Sequence, residues 1–279
     1  MKCFALLHHP KIPQSKLLAD EIAEWLRERG RMVWMGSALD EQGIAERVTD
    51  FDLVVPMGGD GTTLRTARMT AQHGVPILGI NLGRLGFLAE LTPANWREKF
   101  PSLLAGRYWI EERMMLHAEF WREGELQQSF EALNDVVISR GELARIVRLP
   151  TYIDGGYLTT YVADGLIVAT ATGSTAYALA VGGPILPPEL KNILLVPIAP
   201  HLSLDRAIVL SQGAKVEVEV STGHRAILTV DGQFHVELQN GDRVLVQASQ
   251  YVSRFVRFQE RMYLYQTLME RLTRHDREV

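Results

Sequence analysis

The sequence predicts two unlike halves: an α/β domain built on a parallel sheet, then a mostly antiparallel β-rich domain, with a C-terminal helix expected to pack back on the first. Three observations carry this. Up to residue 112 apolar runs of strand length alternate with helix-length segments, the pattern of a parallel sheet with helical crossovers. After Glu112 the pattern changes to many short β-rich runs separated by turn residues. The last stretch, Met262 to Arg271, has helical spacing. The expected domains are therefore 1–112, 113–258 and a terminal helix within 259–279.

In chain order, Cys3 to His8 reads as a buried strand, Lys16 to Arg29 as an amphipathic helix stopped by Gly30, and Met32 to Met35 as the second strand. Leu53 to Pro56 is the third, Thr62 to His73 a helix ending at Gly74, Pro76 to Asn81 a further strand, and Pro93 to Leu104 a helix before Gly106. The second half reads as strands at Leu116 to Trp121, Glu131 to Ser139, Ile146 to Ile153, Leu158 to Val162, Leu166 to Thr170 and Ile193 to Ile198. Ile208 to Leu210, Lys215 to Val220, Ala226 to Val230, His235 to Leu238 and Arg243 to Ala248 continue the series. Asp154-Gly155-Gly156 and Asn240-Gly241-Asp242 fit hairpin turns.

Composition narrows the class. A chain of 279 residues that is 47% apolar can bury a sizeable core, and a formal net charge of -4 argues against nucleic acid as the main partner. Cys3 is the single cysteine, so no intramolecular disulfide and no multi-thiolate metal site can form. The opening apolar run breaks at His8 and His9, too short for a signal peptide, and no run reaches the roughly 18 apolar residues of a membrane span. The expectation is a cytoplasmic protein with small-molecule partners, no nucleic acid and no membrane.

The most informative segment is Met57 to Thr63, Met-Gly-Gly-Asp-Gly-Thr-Thr, between an apolar run and a helix. Glycines let backbone N–H groups approach a ligand and a helix N-terminus attracts anions, so Gly58, Gly59 and Gly61 suit a phosphate cradle. Asp60 is out of place there. A negative charge beside phosphate costs Coulomb energy unless a cation intervenes or the carboxylate takes part in the reaction. The loop lacks the lysine of a P-loop, and Leu6 to Gln14 contains no glycine for a dinucleotide fingerprint. No His-Glu-x-x-His or Gly-x-Ser-x-Gly occurs, which disfavours zinc and serine hydrolases.

A second candidate loop, Ala169 to Tyr177, follows the strand at Leu166. Gly173 permits a sharp turn, Ser174 and Thr175 can cap a short helix from Ala176 to Val181 or bond sugar and phosphate oxygens, and Tyr177 can stack on a base. By itself this is equally a structural cap. Asn134-Asp135 interrupts apolar neighbours and reads as a turn, an edge or a polar recognition site; Asp164-Gly165 and Asp231-Gly232-Gln233 pass as hairpin turns.

Taken together, the chain resembles the NAD kinases. The residues that carry the resemblance are Gly58-Gly-Asp-Gly-Thr62, Gly79-Ile-Asn-Leu-Gly-Arg-Leu-Gly-Phe-Leu88, Leu133-Asn-Asp-Val136, Ala163-Asp-Gly-Leu166, Thr172-Gly-Ser-Thr-Ala-Tyr177, Gly182-Gly-Pro184, Pro197-Ile-Ala-Pro-His201 and Asp231-Gly-Gln233. The first motif is shared with lipid kinases of the diacylglycerol and sphingosine type; the Thr172 to Tyr177 segment with Asn134-Asp135 is far more specific. The resemblance implies transfer of the ATP γ-phosphoryl group to the 2′-hydroxyl of the adenosine ribose of NAD, with Mg²⁺ or another divalent cation travelling on ATP. It implies Asp60 as general base and Gly58, Gly59 and Thr62 as the phosphate cradle. It assigns NAD to Asp60, Gly61, Arg65, Phe87, Asn134, Asp135, Arg145, Asp164, Thr175, Ala176, Tyr177, Ala178, Leu179, Ala180 and Gln233, and it implies a homodimer or homotetramer. Three positions depart from the family pattern: Ala171 stands for a usual proline, Asp135 for a frequent glutamate, and Val162 for an arginine common in bacterial members. A lipid kinase or a non-catalytic nucleotide sensor are the competing readings.

Overall fold

A computed structural model of the protein describes residues 1–83, 86–141, 145–201 and 204–258. The chain divides into two compact units, residues 1–112 with 253–258, and residues 113–252. The helix expected at Met262 to Arg271 lies outside the described residues.

The first unit contains β1 (Cys3–His8), α1 (Pro13–Arg27), β2 (Met32–Ser37), α2 (Glu41–Ala45), β3 (Leu53–Gly58), α3 (Asp60–Ala71), β4 (Ile80–Asn81) and α4 (Trp96–Leu104). Its four strands are parallel in the order β2-β1-β3-β4. α1 opens on Pro13, tolerated because the first helical N–H has no partner to lose, and is followed by Gly30 at φ +71°. Its buried positions Leu18, Ala19, Ile22, Ala23 and Leu26 share a core with Phe4, Leu6, Leu53, Val55 and Met57 of the sheet and with Trp96, Phe100 and Leu103 of α4. Trp25, Trp96 and Phe100 lock this core edge to face, at centroid separations of 6.0, 5.9 and 5.3 Å.

α3 buries a polar face instead. Thr62, Thr63, Thr66 and Thr70 are all buried, and the Thr66 and Thr70 hydroxyls donate to carbonyls four residues back at 3.0 Å each, which satisfies them inside the helix. The strand expected at Pro76 to Asn81 is shorter than its apolar run. Only Ile80–Asn81 joins the ladder, while Ile77 bridges Val54 on one side and Phe255 on the other.

The second unit is antiparallel. Its strands are β5 (Trp109–Arg122), β6 (Glu125–Ala132), β7 (Asp135–Arg140), β8 (Val147–Ile153), β9 (Gly156–Ala163), β10 (Gly165–Thr170), β11 (Asn192–Ile198), β12 (Ile208–Ser211), β13 (Val216–Glu219), β14 (Ala226–Val230), β15 (Phe234–Leu238) and β16 (Arg243–Arg257), with α5 (Tyr177–Ala180) after β10. The division between units falls within β5 and β16. Two six-stranded sheets, β12-β11-β10-β7-β14-β15 and β6-β5-β16-β13-β8-β9, enclose a core drawn from both, including Leu116, Val136, Leu149, Val168, Leu195 and Val216. Ala178 of α5 packs on the opposite face of the first sheet against Val137, Ile167, Ala169 and Val196.

Four sequence expectations are corrected. The single strand at Glu131 to Ser139 is two, β6 and β7, broken at Leu133-Asn134. The strand at Arg243 to Ala248 runs on to Arg257. Asn240 to Asp242 is not a hairpin but a link between the two sheets, as is Asp164 between β9 and β10. Asp154 and Gly155 do form the expected hairpin, at φ +52° and +79°.

Candidate active site

β3 carries its buried run through Gly58, and α3 already begins at Asp60, so the glycine segment is a strand end and a helix first turn joined by Gly59 alone. Thr62 and Thr63 donate their backbone N–H to the Gly59 carbonyl at 3.1 and 3.2 Å, which winds the first turn. Gly58 has no room for a side chain because the Thr62 hydroxyl occupies that position. Gly59 and Gly61 instead face open space and are exposed, so a ligand can approach the backbone there.

Asp60 sits in the first turn of α3, where the helix dipole favours a negative group. Its carboxylate accepts backbone N–H bonds from Phe87 at 2.9 Å and Leu88 at 3.4 Å. A Cβ at Gly86 would collide with that carboxylate, so the glycine lets the 86–88 segment close over Asp60. Phe87 is buried and meets Asp60 through its backbone. Arg65, expected to meet a phosphate, is ion-paired with Glu41 of α2, and Arg68 lies 3.9 Å from the same carboxylate.

In the second unit the structure gathers three segments that are far apart in sequence. The Asp231 carboxylate accepts the N–H groups of Leu133, Asn134 and Asp135 at 2.9, 2.8 and 3.1 Å, and Asp231 returns its own N–H to the Asp135 carbonyl at 2.9 Å. The Thr170 hydroxyl donates to the Leu133 carbonyl at 2.6 Å and accepts from Gly173 N–H at 3.0 Å. Gly173 lies so close to the Asn134 carbonyl that no side chain fits. The Asn134-Asp135 corner and the Thr172 to Tyr177 segment are therefore held side by side.

Around that corner the roles of individual side chains separate. The buried Ser174 hydroxyl donates to Ala171 carbonyl at 2.6 Å and accepts from Leu186 N–H at 2.9 Å, a structural task. Thr175 donates to Thr172 carbonyl at 3.1 Å, while Tyr177 is 45% exposed and can present its ring to a ligand. Ala176, Leu179 and Ala180 are partly or fully exposed and Ala178 is buried. Burial first, and then the neighbouring Asp231 charge, push the Asp135 carboxyl up to about 7.

Three further expected residues have other neighbours. Asp164 pairs with Arg140 at 3.1 Å, Arg145 is exposed, and Gln233 donates its N–H to Val230 carbonyl at 2.9 Å in the β14–β15 turn. Asp231, Gly86 and Thr170 all lie in segments that the sequence singles out, but the sequence assigns none of them an individual role in a site. The Asp-Gly pair at 231 looked like any hairpin; only the distance of Leu133 from it in sequence hid the contact. Among the described residues no group of three His, Cys, Asp or Glu side chains stands together to hold a metal ion.

An acidic carboxylate anchored at a helix start behind open glycines is equipment for moving a proton next to a phosphate, and the class is a phosphotransferase. The comparisons specify it. A model described as the ATP-NAD kinase N-terminal domain matches residues 40–108, and one described as the ATP-NAD kinase C-terminal domain matches residues 133–258. An NAD kinase of Chloroflexus aurantiacus is 43% identical over 270 residues, covering 97% of this chain and 98% of that protein. The crystal structure of yeast NADH kinase complexed with NADH aligns with a TM-score of 0.83 at 26% identity, over 98% of this chain and 88% of that one. An NAD kinase from Archaeoglobus fulgidus in complex with ATP gives 0.79 at 27% identity, over 96% and 99%. The chain belongs to the ATP-NAD kinase family.

Proposed function

We propose that the protein transfers the γ-phosphoryl group of ATP to the 2′-hydroxyl of the adenosine ribose of NAD, yielding NADP and ADP. The observation that carries this is the Asp60 carboxylate, oriented by Phe87 and Leu88 N–H groups at the start of α3, in a chain matched along nearly its full length by NAD kinases. Asp60 takes the proton of the 2′-hydroxyl, the resulting oxygen bonds the γ-phosphorus, and the bond from that phosphorus to the β,γ-bridging oxygen breaks to release ADP. Gly58, Gly59 and Thr62 form the proposed phosphate cradle, through the backbone in the case of the glycines. Asn134, Asp135, Asp164 and Thr175 to Ala180 hold NAD, joined by Gly61, Arg65, Phe87, Arg145 and Gln233. Mg²⁺ or another divalent cation would travel on ATP and would offset the charge of its phosphates.

The proposed location is the cytoplasm and the proposed assembly a homodimer or homotetramer. No helix among the described residues is long and apolar enough to cross a membrane. The test is to incubate the purified protein with ATP, Mg²⁺ and NAD and to measure NADP. Phosphorylation of diacylglycerol with no NADP formed would overturn the reading. Asp60→Asn should retain the fold, read by circular dichroism, and lower kcat by about two to four orders of magnitude, the usual contribution of a general base. A loss under tenfold would remove Asp60 from that role.

A further inference from the structure

The turn between β14 and β15 does more than reverse the chain. Asp231 adopts φ +50° and Gly232 φ +63°, which Asp, Asn and Gly tolerate, but a turn of this kind needs no carboxylate. Here the carboxylate is buried and points back at the break between β6 and β7, where it accepts three consecutive backbone N–H groups. Those groups belong to Leu133, Asn134 and Asp135, whose N–H bonds would otherwise be lost at the strand break. Asn134 stands at that break and is half-buried. We infer that Asp231 is a positioning residue for NAD recognition: its carboxylate holds the 133–135 backbone so that the Asn134 and Asp135 side chains are presented to the nucleotide. The inference rests on the reading that this corner holds NAD.

A second observation fits. Asp135 is 6% exposed, faces Ala169 in register on β10 and Asp231 from the end of β14, and Asp231 is the charged group acting on it. One carboxylate therefore serves two purposes. It accepts backbone donors while its charge, added to the larger effect of burial, favours the protonated form of Asp135, which makes that side chain a hydrogen-bond donor as well as an acceptor.

The experiment compares Asp231→Asn and Asp231→Gly in the full-length protein. Both tolerate the positive φ, so a residue needed only for the turn would leave kinetics unchanged in either. Asparagine keeps one acceptor oxygen for the Asn134 and Asp135 N–H groups; glycine keeps none. The expected result is a graded rise in KM for NAD, about tenfold for Asn and more for Gly, with KM for ATP within twofold and the Asp135 carboxyl signal in NMR titration moving down towards the ordinary carboxylate range. Unchanged KM for NAD in both variants, or a loss of thermal stability alone, overturns the inference. Should neither variant fold, amide hydrogen exchange in the wild-type protein decides: slow exchange at Leu133, Asn134 and Asp135 supports it, and loop-like exchange there overturns it. Asn134→Ala and Asp135→Asn separate the two levels. If they raise KM for NAD and the Asp231 variants do not, the positioning role alone fails; if they leave it unchanged, the NAD reading of the corner fails and takes the inference with it.

Discussion

Asp60 owes its orientation to two backbone donors and to the lack of a side chain at Gly86. The Gly86 conformation is not of the kind reserved to glycine, so Gly86→Ala would strain no dihedral; its cost falls on the carboxylate its methyl group would displace. Because a misplacement of about 1 Å can cost about a hundredfold in rate, Gly86→Ala should lower kcat by about that factor with the melting temperature little changed. Steady-state kinetics beside a thermal melt checks this, and a variant with wild-type kcat would show that Asp60 has room to spare. Arg65 gives the opposite lesson. Its charge is engaged by Glu41, so any role it has towards a phosphate competes with an ion pair already formed.

At the scale of elements, the β6–β7 corner shows what a linear reading can and cannot recover. The apolar run from Val136 and the polar pair before it are visible in sequence, and so are the hydroxyls of the Thr172 to Tyr177 segment. The break at Leu133-Asn134 is not, because the carboxylate that takes up its N–H groups, Asp231, lies 97 residues from Asn134. The start of β6 is hidden for a related reason: Glu125 to Ser129 is exposed and, Leu126 apart, polar, so it carries no apolar alternation, and its strand character comes from pairing with β5. The parallel sheet of the first unit is legible because its central strands β1 and β3 are buried on both sides and read as continuous apolar runs. Asp135 yields a prediction at this scale. Its pKa is raised from the ordinary value of about 3.9 to about 7, so the folded corner binds a proton more tightly than the unfolded chain. The stability this contributes is complete below about pH 4 and is lost as pH rises through 7. Denaturant midpoints at pH 5 and pH 8 should fall further in the wild type than in Asp135→Asn, whose side chain cannot ionise; equal falls would deny the burial of an ionisable carboxyl.

For the whole molecule, the two units are stabilised by different means. The second is an antiparallel double-sheet core, mainly of aliphatic side chains with Phe120 and Tyr161 among them. The first has an aromatic and aliphatic core and, apart from it, a buried ion cluster: Arg257 donates to Glu111 at 2.8 Å, to Glu90 at 3.2 Å and to the Leu88 carbonyl at 3.0 Å, while Phe258 N–H reaches Glu90 at 2.7 Å. All three charged side chains are at most 5% exposed. Arg257→Met removes the cation that Glu90 and Glu111 share and should destabilise the protein by about 3–5 kcal/mol, measured by chemical denaturation. A change under 1 kcal/mol would mean that solvent reaches the cluster. The same tail supplies backbone pairing, with Ile77 N–H donating to Arg254 carbonyl and Val256 N–H to Ile77 carbonyl, both at 2.8 Å. The first unit is thus discontinuous in the chain, its last piece following the whole of residues 113–252. During synthesis the ribosome delivers Glu90 and Glu111 long before Arg257, whereas every residue of the second unit emerges in one uninterrupted stretch. The half of the protein that is born first is therefore the half that cannot be completed until the other has been delivered.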